Sequence, residues 1–188
     1  QKGGQPLSLT VQVVSGWTDY DSDCTTLVSQ LKAAGIKLSV NQVAQNVWTN
    51  NEVQGTFQLS MDSLGLGASN SPYYTYAPHF LSTNTAKVGQ AAGSNGNYAR
   101  YSNPKVDAAI KAVAATNDAS AQKAAYATIQ TEIVRDLPYI PIYVNSTLTE
   151  FNTSHATGWP TAKNLYAYPA AWKTWDNGIV LKTIKPVN

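Results

Sequence analysis

The stretch Asn97-Tyr-Ala-Arg-Tyr-Ser-Asn-Pro-Lys-Val-Asp107 is the most informative segment of the chain. Either Ser102 or Asn103 can cap a helix, and Pro104 suits the first turn, where a residue needs no backbone N–H donor. The helical spacing of the next apolar residues predicts an inner face of Val106, Ile110, Val113 and Ala114. The stretch therefore predicts a loop that leads into an amphipathic helix.

A second helix and a strand are predicted downstream of this one. The helix opens at Asp118 or Ser120 and runs to about Arg135. Its predicted inner face consists of Ala125, Ile129, Ile133 and Val134. Residues 139–144 are predicted as another strand, and Pro141 places it at an edge or makes that proline the strand start.

Upstream, strands and helices alternate. Residues 7–14 alternate apolar and polar side chains and predict a strand, and residues 36–43 predict another. Between them, Asp21 or Ser22 can cap a helix that runs to about Ala34. A strand, a helix and a strand over this distance indicate a right-handed parallel βαβ unit.

A third strand is predicted at residues 56–64, after a short helix around residues 47–53. In this strand Phe57, Leu59 and Met61 point to one side. Residues 65–97 then form a long region rich in Gly, Ser, Asn and Tyr, interrupted by a short helical turn at residues 76–81. The predicted fold class is α/β, with a mixed, mostly parallel sheet flanked by helices in three layers.

The composition excludes several kinds of partner. Charged residues make up 13% of the chain and the net charge is +2, so there is no basic stripe for nucleic acid and no polybasic membrane patch. No apolar run approaches the roughly 20 residues that span a bilayer. Cys24 is the only cysteine, so it has no partner for an internal disulfide, and its helical spacing predicts a buried apolar position.

The sequence predicts no metal site. Asp19, Asp21 and Asp23 alternate as in a calcium loop, but Cys24 and Gln30 occupy the positions that require glycine and glutamate. Helix capping and the helix dipole explain these acids better. The two histidines, His79 and His155, are far apart in sequence and have no acidic or cysteine neighbour at ligand spacing.

The sequence also predicts neither a catalytic residue nor a cofactor. The Gly-Xaa-Ser-Xaa-Gly pattern of serine hydrolases is absent, and no pair stands out among the three Glu and eight Asp. Gly65-Leu-Gly67 follows a predicted strand, but it lacks the third glycine and the helix of a dinucleotide-binding loop. We therefore expect that the chain is not an enzyme.

The segment from Gly65 to Tyr76 leaves the carboxyl end of a predicted strand, where ligands usually bind in open α/β sheets. Its glycines let a ligand approach the backbone, its polar side chains hydrogen-bond, and its tyrosines offer flat amphipathic surface. With the tryptophan that follows the first strand, the predicted ligand contacts are Trp17, Gly65, Gly67, Ser69, Asn70, Tyr73 and Tyr74. The alternative is a plain surface loop with inward tyrosines, and a Trp17 that packs under the sheet.

Five pieces of the sequence occur in an order typical of one protein family. They are Leu31–Leu38, Gly55–Leu59, Asn97–Asp107, Tyr126–Gln130 and Asp136–Tyr143. In this order they resemble the C-terminal ligand-binding lobe of the family 5 extracellular solute-binding proteins, the peptide- and nickel-type receptors of ABC importers. The resemblance implies a periplasmic-binding-protein-like lobe that is a fragment of a two-lobed receptor.

The resemblance carries further expectations about organisation and partners. Residues 1–155 would form the solute-binding lobe, and residues 156–188 a C-terminal return segment that packs on the missing first lobe. The protein would capture a peptide or another small polar solute by lobe closure, without cofactor, metal or catalysis. It would be extracytoplasmic, would meet an ABC permease through its full-length parent, and would touch the membrane only through a lipid anchor of that parent.

One departure from the family bears on the ligand. Peptide receptors of this family tend to place an acid in the loop after the third strand, but no carboxylate lies between Asp62 and Asp107. A buried ammonium without a partner costs several kcal/mol, so a neutral or hydroxyl-rich ligand such as an oligosaccharide fits better than a free peptide amine. The alternatives are a stand-alone secreted carbohydrate-binding or adhesive module and, more weakly, a hydrolase with an acid/base set around Asp62, His79 or His155.

Overall fold

The computed structural model describes residues 7–64, 71–93, 96–144, 149–170 and 173–187. The chain divides into two compact units, Gln1–Ile140 and Pro141–Asn188. The predicted boundary between a lobe of residues 1–155 and a return segment of residues 156–188 depends on how the return segment packs on another lobe. It therefore stays a prediction.

The first unit contains most of the secondary structure. Its elements are β1 (Leu7–Val14), α1 (Thr18–Ala33), β2 (Ile36–Val43), α2 (Gln45–Gln54), β3 (Leu59–Ser60), α3 (Tyr73–Phe80), a 3₁₀ turn (Ser82–Asn84), α4 (Pro104–Ala114) and α5 (Ala119–Asp136). The second unit contains β4 (Ala156–Thr157), α6 (Thr174–Thr183) and β5 (Lys185–Pro186), and β4 pairs with β5 in antiparallel fashion. No helix in the described part of the chain has both the length and the apolar character to cross a membrane.

The sheet of the first unit has the strand order β2-β1-β3, and both pairings are parallel. The pairing of β1 with β2 extends from Leu7 opposite Ile36 to Val14 opposite Val43. The parallel βαβ prediction and the α/β fold class are thus confirmed. Helix α1 begins at Thr18, earlier than the predicted caps, because the chain turns into the helix directly after Trp17.

A first core lies between this sheet and α1. Its buried members are Val11, Val13, Cys24, Leu38 and Met61. Side chains alternate along a strand, so Val11 and Val13 share the face that α1 covers. Cys24 is fully buried as predicted, and burial raises the pKa of its thiol.

A second core lies among α3, α4 and α5. Its buried members are Ala77, Phe80, Val106, Ala109, Ile110, Val113 and Ile129. Two predicted core residues are wrong, because Ala114 is exposed and Val134 is 70% exposed. Ala109 takes the inner position on α4, and on α5 the buried neighbour is Glu132, which is held by ion pairs and a hydrogen bond.

One predicted strand is shorter than expected, and another is absent. Within residues 56–64, only Leu59 and Ser60 belong to a strand, which pairs with Val11 and Gln12 of β1. Residues 139–144 form no strand, although their placement is described. Pro138 and Pro141 lack the N–H that a sheet ladder requires, which explains the absence of pairing.

Candidate ligand-binding site at the carboxyl edge of the sheet

The carboxyl ends of the three parallel strands meet at one edge of the sheet, as the geometry of parallel pairing requires. At this edge, Ser15 N donates to Val43 O (2.9 Å) and Trp17 N donates to Val14 O (3.2 Å). Gly16 has a φ of +93°, so the turn between β1 and α1 needs a glycine. The turn places the Trp17 ring directly beyond the end of β1.

Trp17 lies in an aromatic cluster at this edge. Its ring meets Trp48 of α2 edge-on, with 5.3 Å between centroids, and meets Tyr20 of α1 at 5.4 Å. Trp48 is buried, and its Nε1 has no hydrogen-bond partner among the described residues. Trp17 itself is half-buried, so part of its ring remains open at the edge.

The other predicted ligand contacts fall into two groups. Tyr73 and Tyr74 lie in the first turn of α3, with their rings edge-to-face at 5.4 Å. Tyr73 packs against the second core, whereas Tyr74 is 46% exposed. Neither ring is among the described contacts of Trp17, so the structure does not bring these predicted residues into one contact cluster. Gly65, Gly67, Ser69 and Asn70 lie outside the described residues.

The sequence patterns did not predict a chain of hydrogen-bonded polar side chains that links β1, α2 and β3. Ser60 Oγ donates to Glu52 Oε1 (2.7 Å), Gln12 Nε2 donates to Ser60 Oγ (3.1 Å), and Asn51 Nδ2 donates to Gln12 Oε1 (2.8 Å). Glu52 is 4% exposed and Gln12 is 3% exposed. The signal was present in the sequence, because Gln12 interrupts the apolar end of β1 and a buried amide requires partners.

Two carboxyl groups near this edge resist ionisation. Burial and, secondly, the negative charge of Asp62 raise the pKa of Glu52 to about 8, against the hydrogen bond from Ser60. The surrounding protein partly desolvates the exposed Asp62 and raises the pKa of its carboxyl group, although the backbone N–H of Ser63 (2.7 Å) and the charge of His79 lower it. At neutral pH the edge therefore carries less negative charge than its two acids imply.

Acids of perturbed pKa and half-open aromatic rings at a sheet edge are common features of functional sites. No group of three or more His, Cys, Asp or Glu side chains in the described ranges can hold a metal ion. Asp19 and Asp21 lie in the first turn of α1, where carboxylates complement the helix dipole.

The Asn97–Asp107 stretch serves the scaffold. Asn97 is fully buried; its Oδ1 accepts from Tyr101 N (2.9 Å), and its Nδ2 donates to Tyr101 O (2.6 Å) and Leu81 O (3.3 Å). Asn103 caps α4 by accepting from Lys105 N (2.9 Å), which decides between the two predicted caps. Asn97 and Asn103 thus form their hydrogen bonds within the protein.

Arg100 of the same stretch closes the end of α2. Its guanidinium donates to the carbonyl oxygens of Glu52 (3.3 Å) and Val53 (3.0 Å), and these oxygens also accept from Gly55 N (3.1 Å) and Ala92 N (2.9 Å) respectively. The segment therefore helps to fix the end of the helix that carries Trp48 and Glu52.

Solved structures similar to this chain are known, although the sequence comparisons find no match. The sequence matches no protein-family model and no curated protein sequence. The structure, however, is similar to the periplasmic oligopeptide-binding protein of an ABC transporter from Thermotoga maritima. The mannohexaose-bound form of that protein matches with a TM-score of 0.84 at 25% identity over 97% of this chain, and a second crystal structure matches with a TM-score of 0.85 over 98%.

A more distant match shows the fold alone. The oligopeptide-binding protein AppA of Bacillus subtilis, in complex with a nonapeptide, has a TM-score of 0.59 and 20% identity over 74% of this chain. The chain spans 34% of the length of the Thermotoga protein and 26% of the length of AppA. These matches are solute-binding proteins, and the family 5 type resemblance is confirmed: over nearly all its length this chain has the fold of about a third of a periplasmic oligopeptide-binding protein of an ABC transporter.

Proposed function

We propose that this chain is a lobe of the extracytoplasmic substrate-binding component of an ABC importer, and that it captures a small polar solute as two lobes close around it. The observation that carries the proposal is the similarity to the Thermotoga protein over 97% of the chain, with a TM-score of 0.84. The half-open rings of Trp17 and Tyr20 at the carboxyl edge support it, because that edge is where open α/β sheets bind ligands. A stand-alone adhesive module has no comparable support.

The ligand contacts on this proposal are the seven predicted residues, with Trp48 as a neighbour that supports Trp17. They are Trp17, Gly65, Gly67, Ser69, Asn70, Tyr73 and Tyr74. Among these residues, Tyr74 is the strongest candidate for a direct contact with the ligand, because its ring is more exposed than the adjoining ring of Tyr73. No catalytic step is part of the proposal.

The ligand is proposed to be neutral. No carboxylate lies between Asp62 and Asp107, and the raised pKa values of Glu52 and Asp62 reduce the negative charge available to a peptide ammonium. The similar Thermotoga protein is described with bound mannohexaose. An oligosaccharide therefore fits the edge better than a peptide with a free amino terminus.

The C-terminal segment is proposed to pack on a first lobe. In α6, Trp175 is 91% exposed and Ile179 is 47% exposed, and these residues are one helical turn apart. An exposed apolar pair of this kind is typical of a surface that another element covers. The proposal retains residues 156–188 as the return segment and adds an ABC permease as the partner of the complete receptor.

The test is a titration of the full gene product, followed by intrinsic tryptophan fluorescence, with mannohexaose and with a tetrapeptide. We expect saturation with mannohexaose, and at least tenfold weaker binding in Tyr74→Ala. Val88→Ala is the control, because Val88 is 68% exposed and lies outside the proposed contacts. Saturation by neither ligand in a folded protein would exclude both proposed ligand classes, and preferential binding of the peptide would exclude a neutral ligand.

A further inference from the structure

The two faces of the parallel sheet differ in chemistry. One face carries Val11, Val13 and Leu38, which belong to the core that α1 covers. The opposite face carries polar side chains, because Gln12 pairs with Asn41 on one side and with Ser60 on the other. On this face Gln12 is buried beside α2, whereas Thr10 and Asn41 are exposed. Parallel sheets are normally apolar and covered on both faces, so this exposed polar part requires its own explanation.

A groove of about 420 Å³ lies on this polar face. Its polar lining consists of Thr10, Gln12, Asn41, Asn51, Thr56 and Gln58. None of the described residues that line it carries a charge. Its volume falls within the range of small-molecule sites, about 300–1,000 Å³.

Hydrogen bonds within the protein hold several of these side chains in place. Gln58 Oε1 accepts from Thr10 N (2.7 Å), which orients its amide nitrogen, and that nitrogen has no hydrogen-bond partner among the described residues. Asn51 Oδ1 accepts from Thr56 Oγ1 (3.2 Å), while its Nδ2 donates one of its two hydrogens to Gln12. The groove is thus lined by amide donors whose orientation is fixed before any ligand arrives, which reduces the entropic cost of binding.

Asn41 adds an exposed amide to this set, since it lies on the open side of β2. Phe57 adds an aromatic ring: it is half-buried, lines the groove and belongs to neither core cluster. Fixed amides beside one aromatic ring match a ligand with many hydroxyl groups and one apolar face.

The chemistry of the lining selects one ligand class. A charged ligand would lose hydration without gaining an opposite charge, which is unfavourable. An apolar ligand would cover the amide donors and leave them without partners. We propose that this groove is a second binding site, for a neutral saccharide, on the polar face of the sheet. The site is distinct from the carboxyl edge, because Trp17, Tyr73 and Tyr74 are not part of its lining.

The location of the site can be tested by NMR on the 188-residue chain. We expect mannohexaose to shift the backbone amide resonances of Thr10, Asn41 and Gln58 with an affinity in the millimolar range, because the groove is open to solvent. The indole resonances of Trp17 and Trp48 should shift less. Tetra-alanine serves as the peptide probe, and equal shifts of the groove amides by that peptide would exclude saccharide selectivity.

A matched pair of variants tests the role of the amides. Asn41→Ala should weaken mannohexaose binding about tenfold, equivalent to about 1.4 kcal/mol. Gln42→Ala is the control, because Gln42 is the next residue on β2, is also exposed, and points to the opposite face. Equal affinities of the two variants, or no shift of the groove amides at saturating sugar, would overturn the proposal. Shifts confined to the carboxyl edge would also overturn it, while supporting the site under the proposed function.

Discussion

Glu52 and Glu132 are both almost completely buried, with 4% and 7% of their surface exposed. Their pKa values are nevertheless shifted in opposite directions. Glu132 accepts from Asn103 Nδ2 (2.9 Å) and pairs with Arg135 (2.5 Å) and Lys105 (3.5 Å), which together lower the pKa of its carboxyl group. Glu52 accepts a hydrogen bond from Ser60 and lies near the charge of Asp62, and burial raises its pKa to about 8.

The difference separates the scaffold from the candidate site. On α5, the buried Glu132 is matched by two cations and an amide, which is the arrangement that stabilises a buried charge. Near the carboxyl edge, Glu52 is buried without a cation of comparable proximity, and the local structure raises the pKa of both Glu52 and the more exposed Asp62. Strongly perturbed acids of this second kind are more often found where a protein binds a ligand.

The largest effect is expected on the scaffold side. Asn97→Ala removes three hydrogen bonds of a fully buried side chain and leaves backbone groups of the partly buried Leu81 and Tyr101 without those partners. We expect the free energy of unfolding to fall by about 3 kcal/mol, since each buried polar group left unpaired costs about 1–3 kcal/mol. Urea unfolding followed by circular dichroism measures this loss.

The control for this change is Asn46→Ala. Asn46 is an exposed asparagine on α2, and substitution at such a surface position usually changes stability by less than about 0.5 kcal/mol. Equal losses for Asn97→Ala and Asn46→Ala would show that the Asn97–Asp107 stretch is not the structural element described above.

The pH dependence of stability is expected to differ between the two glutamates. Because the folded pKa of Glu52 lies above its ordinary value of 4.5, the unfolded chain releases this proton first as the pH rises. Glu52 therefore costs no stability below about pH 4.5, and stability falls between that pH and about 8, by a few kcal/mol. Glu132 has the opposite sign: its contribution is present at neutral pH and is lost as the pH falls through its lowered pKa.

Two conservative variants measure this contrast. Glu52→Gln should keep an acceptor for Ser60 and flatten the decrease in unfolding free energy between pH 5 and 8, leaving the smaller contribution of Asp62. Glu132→Gln should lower stability at pH 7, and its difference from the unmodified chain should shrink in acid. An unchanged slope in Glu52→Gln would show that Glu52 ionises normally in the folded protein.

Local patterns predicted much of the scaffold correctly. The strands at residues 7–14 and 36–43 were found because alternation along a strand is a local property. The sequence indicates two candidate N-cap residues for each of α4 and α5, and in the structure the caps are Asn103 and Asp118. In both cases a single short segment contains the whole signal.

The errors concern features that depend on distant parts of the chain. Val134 fits the helical spacing of an inner face, but α5 is turned so that Glu132 can meet Asn103, which lies far away in sequence. How much of residues 56–64 pairs with β1 depends on contacts between distant parts of the chain, and only Leu59 and Ser60 do so. The acid near the site was missed for the same reason, because Glu52 and Asp62 are brought together only by the fold.

The smallest expected effect tests the link between the two regions at Gly55. This residue has a φ of +68°, and a Cβ atom there would collide with the guanidinium of Arg100. Gly55→Ala must therefore displace Arg100 from the carbonyl oxygens of Glu52 and Val53, in addition to straining the backbone. We expect a loss of about 2 kcal/mol in the free energy of unfolding.

Gly35→Ala is the matched control, because Gly35 has a similar φ of +76° but open space around its Cβ position, so only the backbone cost of about 1 kcal/mol applies. If both variants lost the same free energy in urea unfolding, Arg100 would contribute nothing to holding α2, and the Asn97–Asp107 stretch would be independent of the candidate site.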